Sequence, residues 1–416
     1  MKVFKFGGAS VKDAEAVKNV AKIVGQFQQG KLMIVVSAMG KTTNALEGIV
    51  NSYIASKEDL PSRVSDLKRY HNNIIKELFN EVPTTLTEDL EKIFGYLEKR
   101  ISIVANQSFD LIYDQIVPVG ELLSTKIISA YLNFADVKNT WLDARKIILT
   151  DGSFRKANVD WELTQFTIDG LEWENEIFVT QGFIGGTKGN FMTTLGREGS
   201  DYTGAILANC LNAKSLTIWK DVEGVLNADP KFFNNTEKLD QISFKEAIEL
   251  AYYGASVIHP KTIKPLQNKN IPLYVKSFVN PAEEGTKISE DFSKDGLIPC
   301  FIFKTNQCLV SFSTKDFSFV AEEQISELFQ ALHKFGFEVT AMQNSAINFS
   351  VNTTFNEEKL KLLIEELKEK YSVKYNSNLD LMTIRHYNED IIKELTKGRK
   401  VLLQQRSRNT VKLIMS

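Results

Sequence analysis

Lys2-Val3-Phe4-Lys5-Phe6 runs directly into Gly7-Gly8-Ala9-Ser10. The first five residues read as a strand, and the paired glycines end it. Ala14, Val17, Ala21 and Val24 then recur at helical spacing. Next comes the apolar run Leu32-Met33-Ile34-Val35-Val36, closed by Ser37, whose length and β-branched content predict a strand buried on both faces. Strand, helix and strand in that order form the βαβ unit of a parallel sheet. Both strands end in small residues, at the edge where open α/β sheets bind ligands.

Working outward, residues 42–105 read as a run of helices broken near Pro61 and Pro83. So long an excursion from a sheet is either a lid, a dimer surface or plain helical packing. Residues 115–119 read as the next strand, followed by Gly120-Glu121 at a helix start. Further strands are expected at 177–181, 215–219 and 271–276, the last being the final strand of this domain. Helices are expected after Ser200 and near 243–252. The first of these is apolar enough to be buried.

Near 282–298 Glu, Lys, Gly and Ser replace apolar residues, so the domains are taken as 1–281, a linker 282–298, and 299–416. The last region reads as strand 307–313, helix 321–335, strands 337–342 and 346–352, helix 356–370 and strand 372–375. That is the ferredoxin-like βαββαβ order. A second copy has strand 379–384, helix 388–397 and strands 400–405 and 411–415. It stops short of a last helix and strand, and Cys300-Phe301-Ile302-Phe303 could lend it one by interleaving the two copies.

Composition narrows the class. A chain of 416 residues is long enough for two or three domains with real cores. Its 50 basic and 52 acidic residues nearly cancel, to a formal charge of −2, which points to neither nucleic acid nor a membrane surface. Three cysteines without metal spacing suit a reducing compartment. The four scattered histidines argue against a histidine metal site. With no apolar run of spanning length and no leader pattern, a cytoplasmic, soluble protein is the expectation.

The most informative loop is Thr193-Thr194-Leu195-Gly196-Arg197-Glu198-Gly199-Ser200-Asp201-Tyr202. Glycines let backbone approach a ligand, a following helix start presents free N–H groups to an anion, and Arg197 can grip a carboxylate or phosphate through two bonds. A polar loop capping a helix through Ser200 or Asp201 is the plainer alternative. Gly40-Lys41-Thr42 resembles the end of a P-loop, but that motif requires glycine where Val35 stands. Neither a dinucleotide fingerprint nor a nucleophile elbow occurs. Taken singly, Lys5, Ser37 and Glu121 are ordinary surface, cap or first-turn residues.

The combination is more specific. Lys5-Phe6-Gly7-Gly8-Ala9-Ser10-Val11 resembles the opening motif of the aspartate kinases. Val36-Ser37-Ala38-Met39-Gly40, Gly120-Glu121-Leu122, Gln181-Gly182-Phe183-Ile184-Gly185 and the stretch from Thr194 to Tyr202 resemble the same family in the same order. So do Trp219-Lys220-Asp221-Val222-Glu223-Gly224 and Tyr253-Gly254-Ala255-Ser256-Val257-Ile258-His259-Pro260. The resemblance covers essentially the whole chain, since that family ends in paired ACT domains of ferredoxin-like fold. It implies an α/β amino-acid-kinase-like domain, a mainly parallel sheet sandwiched by helices, with ferredoxin-like α+β ACT domains behind it.

The resemblance further implies transfer of the ATP γ-phosphoryl group to the β-carboxylate of L-aspartate, the first step towards lysine, threonine and methionine. Lys5, Ser10 and the amides near Gly7 and Gly8 would stabilise the transferring group, with Asp201 orienting Lys5. Ser37, Thr43, Glu121 and Arg197 would hold aspartate, Arg197 on the α-carboxylate and Glu121 facing the α-ammonium, supported by Ser200. Lys220, Asp221, Leu226, Lys231, Ser256 and Val257 would line the nucleotide site. Mg²⁺ would bridge the phosphates without a protein ligand. An effector amino acid, lysine or threonine, would sit at the loops 314–320 and 343–347, near Ser318, Val320, Asn344 and Ser345. The ACT domains would pair subunits into a homodimer or higher assembly; the plainer alternative is a dimerisation module without ligand.

The sequence departs from the family pattern at three positions. Ala9 stands where threonine is usual, Leu226 where tyrosine is, and Ser256 where lysine is, which touches nucleotide contacts more than substrate contacts. His259 reads as a structural turn histidine. Two rivals stay open: an amino-acid kinase acting on another substrate, and a non-catalytic amino-acid sensor.

Overall fold

The computed structural model describes residues 1–416 apart from 28, 29, 104–106, 174, 175, 256, 257 and 317. Two compact units divide the chain. The first comprises Met1–Val225, Asp240–Ile248 and Ile258–Ser293, the second Leu226–Leu239, Glu249–Val257 and Lys294–Ser416.

The first unit contains β1 (Lys2–Phe6), α1 (Ala14–Gly25), β2 (Leu32–Val36), α2 (Thr42–Ile54), α3 (Leu60–Leu78), α4 (Thr84–Ile101), α5 (Phe109–Ile116) and α6 (Val119–Phe134). There follow β3 (Thr140–Leu142), α7 (Ala144–Ile147), α8 (Trp161–Asp169), β4 (Ile177–Gln181), β5 (Ile184–Gly186), β6 (Met192–Thr194), α9 (Gly199–Cys210) and β7 (Leu216–Lys220). The last elements are β8 (Gln241–Ser243), α10 (Phe244–Tyr253, its residues after Ile248 falling in the second unit), α11 (Pro260–Gln267), β9 (Leu273–Ser277) and β10 (Thr286–Ser289). Eight strands form one sheet in the order β3-β4-β2-β1-β7-β9-β10-β8. All its pairings are parallel except β9 with β10.

Period-two alternation decides the layers. Phe4, Phe6, Ile34, Val36, Val179 and Trp219 join a core with the apolar faces of α1 to α6. Lys5, between the two phenylalanines, therefore points to the opposite face. There α9 lies close: a Cβ on Gly204 would meet Leu216 Cδ1 at 3.1 Å and Lys5 Cβ at 3.6 Å. A buried lysine on a buried strand thus has one helix over it.

Several expectations need correcting. Residues 115–119 are helical, divided between the end of α5 and the start of α6 at Pro118. They are buried on all sides, and a short apolar run carries no period that separates strand from buried helix. Residues 271–276 do not hold the last strand, because β10 turns back antiparallel beside β9 from within the stretch read as linker. Pro61 and Pro83 do interrupt the helical run, at the start of α3 and the N-cap of α4; residues 104 and 105 of that run lie outside the described residues.

The second unit contains β11 (Cys300–Thr314), α12 (Glu322–Lys334), β12 (Ala341–Asn344), β13 (Asn348–Thr354), α13 (Glu357–Leu367), β14 (Tyr371–Arg385), α14 (Glu389–Thr396), β15 (Val401–Arg406) and β16 (Thr410–Met415). They make one six-stranded antiparallel sheet, β12-β13-β11-β14-β16-β15. The strands expected at 372–375 and 379–384 are one strand, β14, running beside β11 with register shifts between Lys304 and Leu309. Asn306 and Asn378 take positive φ of 56° there, which asparagine tolerates better than most residues, so each strand passes the irregularity without ending. Cys300–Phe303 pairs with Met382–Arg385. The strand expected at 337–342 is confined to Ala341–Asn344, since Phe337 N instead closes the end of α12 on Leu332 O.

Candidate active site

A cleft of about 800 Å³ in the first unit is lined by Lys5, Ser37, Thr43, Glu121, Arg197, Ser200 and Asp201. Seven residues expected to bind or act on substrate therefore face one space. Each arrives by a short local device. Lys5 is one residue from the end of β1, Ser37 follows β2 and Thr43 lies in the first turn of α2. Glu121 lies in the first turn of α6, and Ser200 and Asp201 in that of α9.

The loop from Gly196 to Glu198 owes its shape to two left-handed residues, at φ 80° and 53°. The first suits glycine. The second is stabilised by the Glu198 carboxylate, which accepts from His259 N at 3.0 Å. His259 in turn caps α11, its Nδ1 accepting from Lys261 N at 3.1 Å, so it is a structural residue as expected. Lys261, which the sequence did not single out, donates to Leu195 O at 3.2 Å and lies over the Tyr202 ring at 4.6 Å. It pins both ends of the loop that carries Arg197.

At the base of the cleft Lys5 Nζ lies 2.6 Å from Asp201 Oδ1, with side chains 10% and 5% exposed. Glu121 is 2% exposed. Its Oε1 accepts from Ala38 N at 3.3 Å, and among the described residues its Oε2 has no partner. Burial pushes its carboxyl up to about 8, only partly opposed by that amide. An unpartnered buried acid aimed at a polar cleft is a poised receptor for a cation. Arg197 is exposed at the rim, where a guanidinium can close on an incoming carboxylate.

Gly7, Gly8 and Ser10 follow β1 and are not among the residues that line this cleft. A Cβ on Gly7 would come within 3.4 Å of Lys5 Nζ, and one on Gly8 would strike Ala38 O and Gly40 O at 2.9 Å. Ser10 is buried, its hydroxyl donating to Trp219 O at 3.4 Å. Of the nucleotide-site expectations, Lys220 ends β7 and Asp221 follows it in the first unit. Leu226, bridged to Lys238, and Lys231, whose amide donates to Asp229 Oδ1 at 2.9 Å, belong to the second unit. Ser256 and Val257 lie outside the described residues.

In the second unit the two loops expected to hold an effector meet. Val320 N donates to Ala346 O at 2.8 Å and Asn344 Nδ2 to Val320 O at 3.4 Å. Ser318 N and Oγ donate to Asp316 Oδ1, and Ser345 N to Asn348 O. Residue 317 lies outside the described residues.

The sequence reading missed one wall of the cleft, formed by Asp110, Tyr113, Phe154, Arg155 and Lys156. Its organiser is the fully buried Asp114. Asp114 accepts from Arg155 N at 2.9 Å and from Thr194 N and Oγ1 at 2.8 Å. Burial raises its carboxyl above the ordinary range against the pull of those bonds. Arg155 then packs over Tyr113, its guanidinium carbon 4.7 Å from the ring centroid. No local motif marks these residues, since they meet only across α5, the 151–156 loop and β6.

Fold and cleft together define an α/β protein that gathers cations and an unpaired acid at the carboxyl ends of parallel strands. The model of the amino acid kinase family matches residues 1–277. The chloroplastic aspartokinase 2 of Arabidopsis thaliana is 33% identical over 366 residues, 84% of this chain and 65% of that protein. The lysine-sensitive aspartokinase 3 of Escherichia coli (strain K12) is 32% identical over 319 residues, 74% of this chain and 68% of that protein. The crystal structure of E. coli aspartokinase III in complex with lysine and aspartate matches with a TM-score of 0.84 at 25% identity, covering 100% of this chain and 95% of that one. The chain belongs to the amino acid kinase family and is closely related to plant and bacterial aspartokinases. It spans between 62% and 65% of the length of the three Arabidopsis aspartokinases it matches. No helix among the described residues is long and apolar enough to cross a membrane.

Proposed function

We propose that this protein transfers the γ-phosphoryl group of ATP to the β-carboxylate of L-aspartate, giving aspartyl phosphate and ADP. The observation that carries this reading is the buried Lys5–Asp201 pair in the same cleft as Glu121 and Arg197. A free aspartate side chain has a pKa of about 4, so the nucleophile is already ionised at neutral pH. One carboxylate oxygen attacks phosphorus, the bond from phosphorus to the β–γ bridging oxygen breaks, and ADP leaves with that electron pair. No proton has to be moved. What remains is to hold two anions together and offset their repulsion in the transition state.

The residues suit that task. Arg197 takes the α-carboxylate and the unpartnered Glu121 oxygen takes the α-ammonium, with Ser37, Thr43 and Ser200 around them. Lys5, held by Asp201, faces the transferring group. The missing Cβ of Gly7, which would lie 3.4 Å from Lys5 Nζ, leaves room for a phosphate beside that ammonium, and Gly8 and Ser10 serve the same group. Mg²⁺ carried on the phosphates supplies charge neutralisation when bound. Lys220, Asp221, Leu226, Lys231, Ser256 and Val257 serve the nucleotide.

The C-terminal unit binds a regulatory amino acid, lysine or threonine, at Ser318, Val320, Asn344 and Ser345, and joins subunits into a dimer or higher assembly. Support comes from the junction of the two loops and from the lysine held by the E. coli relative.

Incubation with MgATP and an amino-acid panel, trapping the acyl phosphate with hydroxylamine, tests the reaction. Hydroxamate should form with L-aspartate. Faster turnover of glutamate would assign another kinase of the family, and lysine or threonine binding without ATP consumption would assign a sensor.

A further inference from the structure

A second cavity, of about 490 Å³, opens in the first unit between the start of α2 and the N-terminal half of α3. None of its lining residues lines the first cleft. Its size falls within the range of roughly 300–1,000 Å³ usual for small-molecule sites.

Charge and shape give it a definite chemistry. Lys12, Lys41 and Arg63 face it with a single carboxylate, Asp66, and that carboxylate is engaged by Arg69. The Arg63 guanidinium is anchored through Nε to Asp59 Oδ2 at 2.8 Å. Among the described residues neither Lys12 nor Lys41 has an acidic partner. Thr42, the first residue of the 13-residue helix α2, is 2% exposed, and among the described residues its hydroxyl has no hydrogen-bond partner. Its methyl is turned towards Gly120 of α6, where an added Cβ would meet it at 3.0 Å. The start of α2 adds its positive end to the charge of the two lysines. The rest of the wall is apolar: Ala45, Leu67 and the Tyr70 ring, fixed by a bond from its hydroxyl to Lys12 O at 2.5 Å.

We infer that this cavity is a second ligand site, taking a small organic anion whose phosphate or carboxylate head lies on Lys12 and Lys41 at the start of α2 and whose apolar body lies on Ala45, Leu67 and Tyr70. The Gly40-Lys41-Thr42 string, which matches the end of a P-loop without its beginning, then serves an anion in its own right.

Calorimetric titration of the full chain with phenyl phosphate tests this, with inorganic phosphate as the probe lacking a body. Phenyl phosphate should bind more tightly than inorganic phosphate. The Lys12→Met/Lys41→Met variant should weaken it by about tenfold or more, as loss of charge-assisted bonds does. Ala45→Trp, which fills the apolar part, should do likewise, and Arg197→Ala should leave binding unchanged. The double lysine variant alters only exposed side chains, so it reads the site even if Ala45→Trp fails to fold. No binding, unchanged binding in the double variant, or binding lost only with Arg197→Ala would overturn the assignment.

Discussion

Lys5 and Asp201, one on the first strand and one in the first turn of α9, form a buried ion pair at 2.6 Å. Neither could be tolerated alone, because breaking a buried pair by removing one partner costs about 3–5 kcal/mol. Asp201→Ala is therefore expected to lower the midpoint of thermal unfolding. Lys5→Met leaves a buried carboxylate facing the phosphates and is expected to cut kcat by about a thousandfold, in the range seen when one preorganised charge donor is lost. Single-turnover assays with saturating aspartate and MgATP check this; a kcat within threefold of the parent would remove Lys5 from the chemistry.

Arg197 is exposed at the cleft rim, so its contribution is to binding rather than to the frame. Arg197→Ala should raise the KM for aspartate about 10- to 100-fold, as loss of a bidentate charge-assisted contact does. The KM for ATP should move less than threefold. Equal increases for both substrates would count against its place on the α-carboxylate.

Glu121 gives the pH dependence a definite sign. In the free protein its carboxyl titrates at about 8, so at pH 7 it is mostly protonated. Pairing with the substrate ammonium requires the ionised form, so aspartate binding releases a proton. Aspartate affinity should rise by up to about tenfold per pH unit below pH 8 and level off above it. Glu121→Gln should abolish that slope. The folded state holds this proton more tightly than the unfolded chain, whose value is 4.5. The group's contribution to stability is thus fully present below about pH 4.5 and lost as pH rises through 8. Glu121→Gln is accordingly expected to melt higher than the parent at pH 9 and no higher at pH 5.

Asp114 tests the wall that local reading overlooked. Asp114→Ala would strand the amide of Arg155 and both donors of Thr194. At about 1–3 kcal/mol for each buried donor left unsatisfied, urea unfolding should show a loss of several kcal/mol. Because Thr194 and Arg155 line the cleft, the KM for aspartate should rise as well. A stable variant with unchanged kinetics would show that this wall has no part in the site.

Contiguous patterns carry information that survives without coordinates. The period-two alternation around Lys5, the doubly buried run Leu32–Val36 and the glycine-rich entry to α9 are each local. From them the parallel sheet could be read, while the seven residues of the cleft came from the resemblance of the ordered motifs to the aspartate kinases. Where burial was total, the period vanished, and residues 115–119 passed for a strand although they are the junction of two helices.

By itself the sequence determined the chemistry available at each strand end and the kind of sheet that carries it, because those depend on neighbours within a few positions. Only the tertiary structure decided that Asp114 reaches Thr194 and Arg155, that Glu121 has one oxygen without a partner among the described residues, and that β11 and β14 run unbroken through both C-terminal copies. Each of these depends on burial and on contacts between segments far apart in the chain, and no short stretch encodes either.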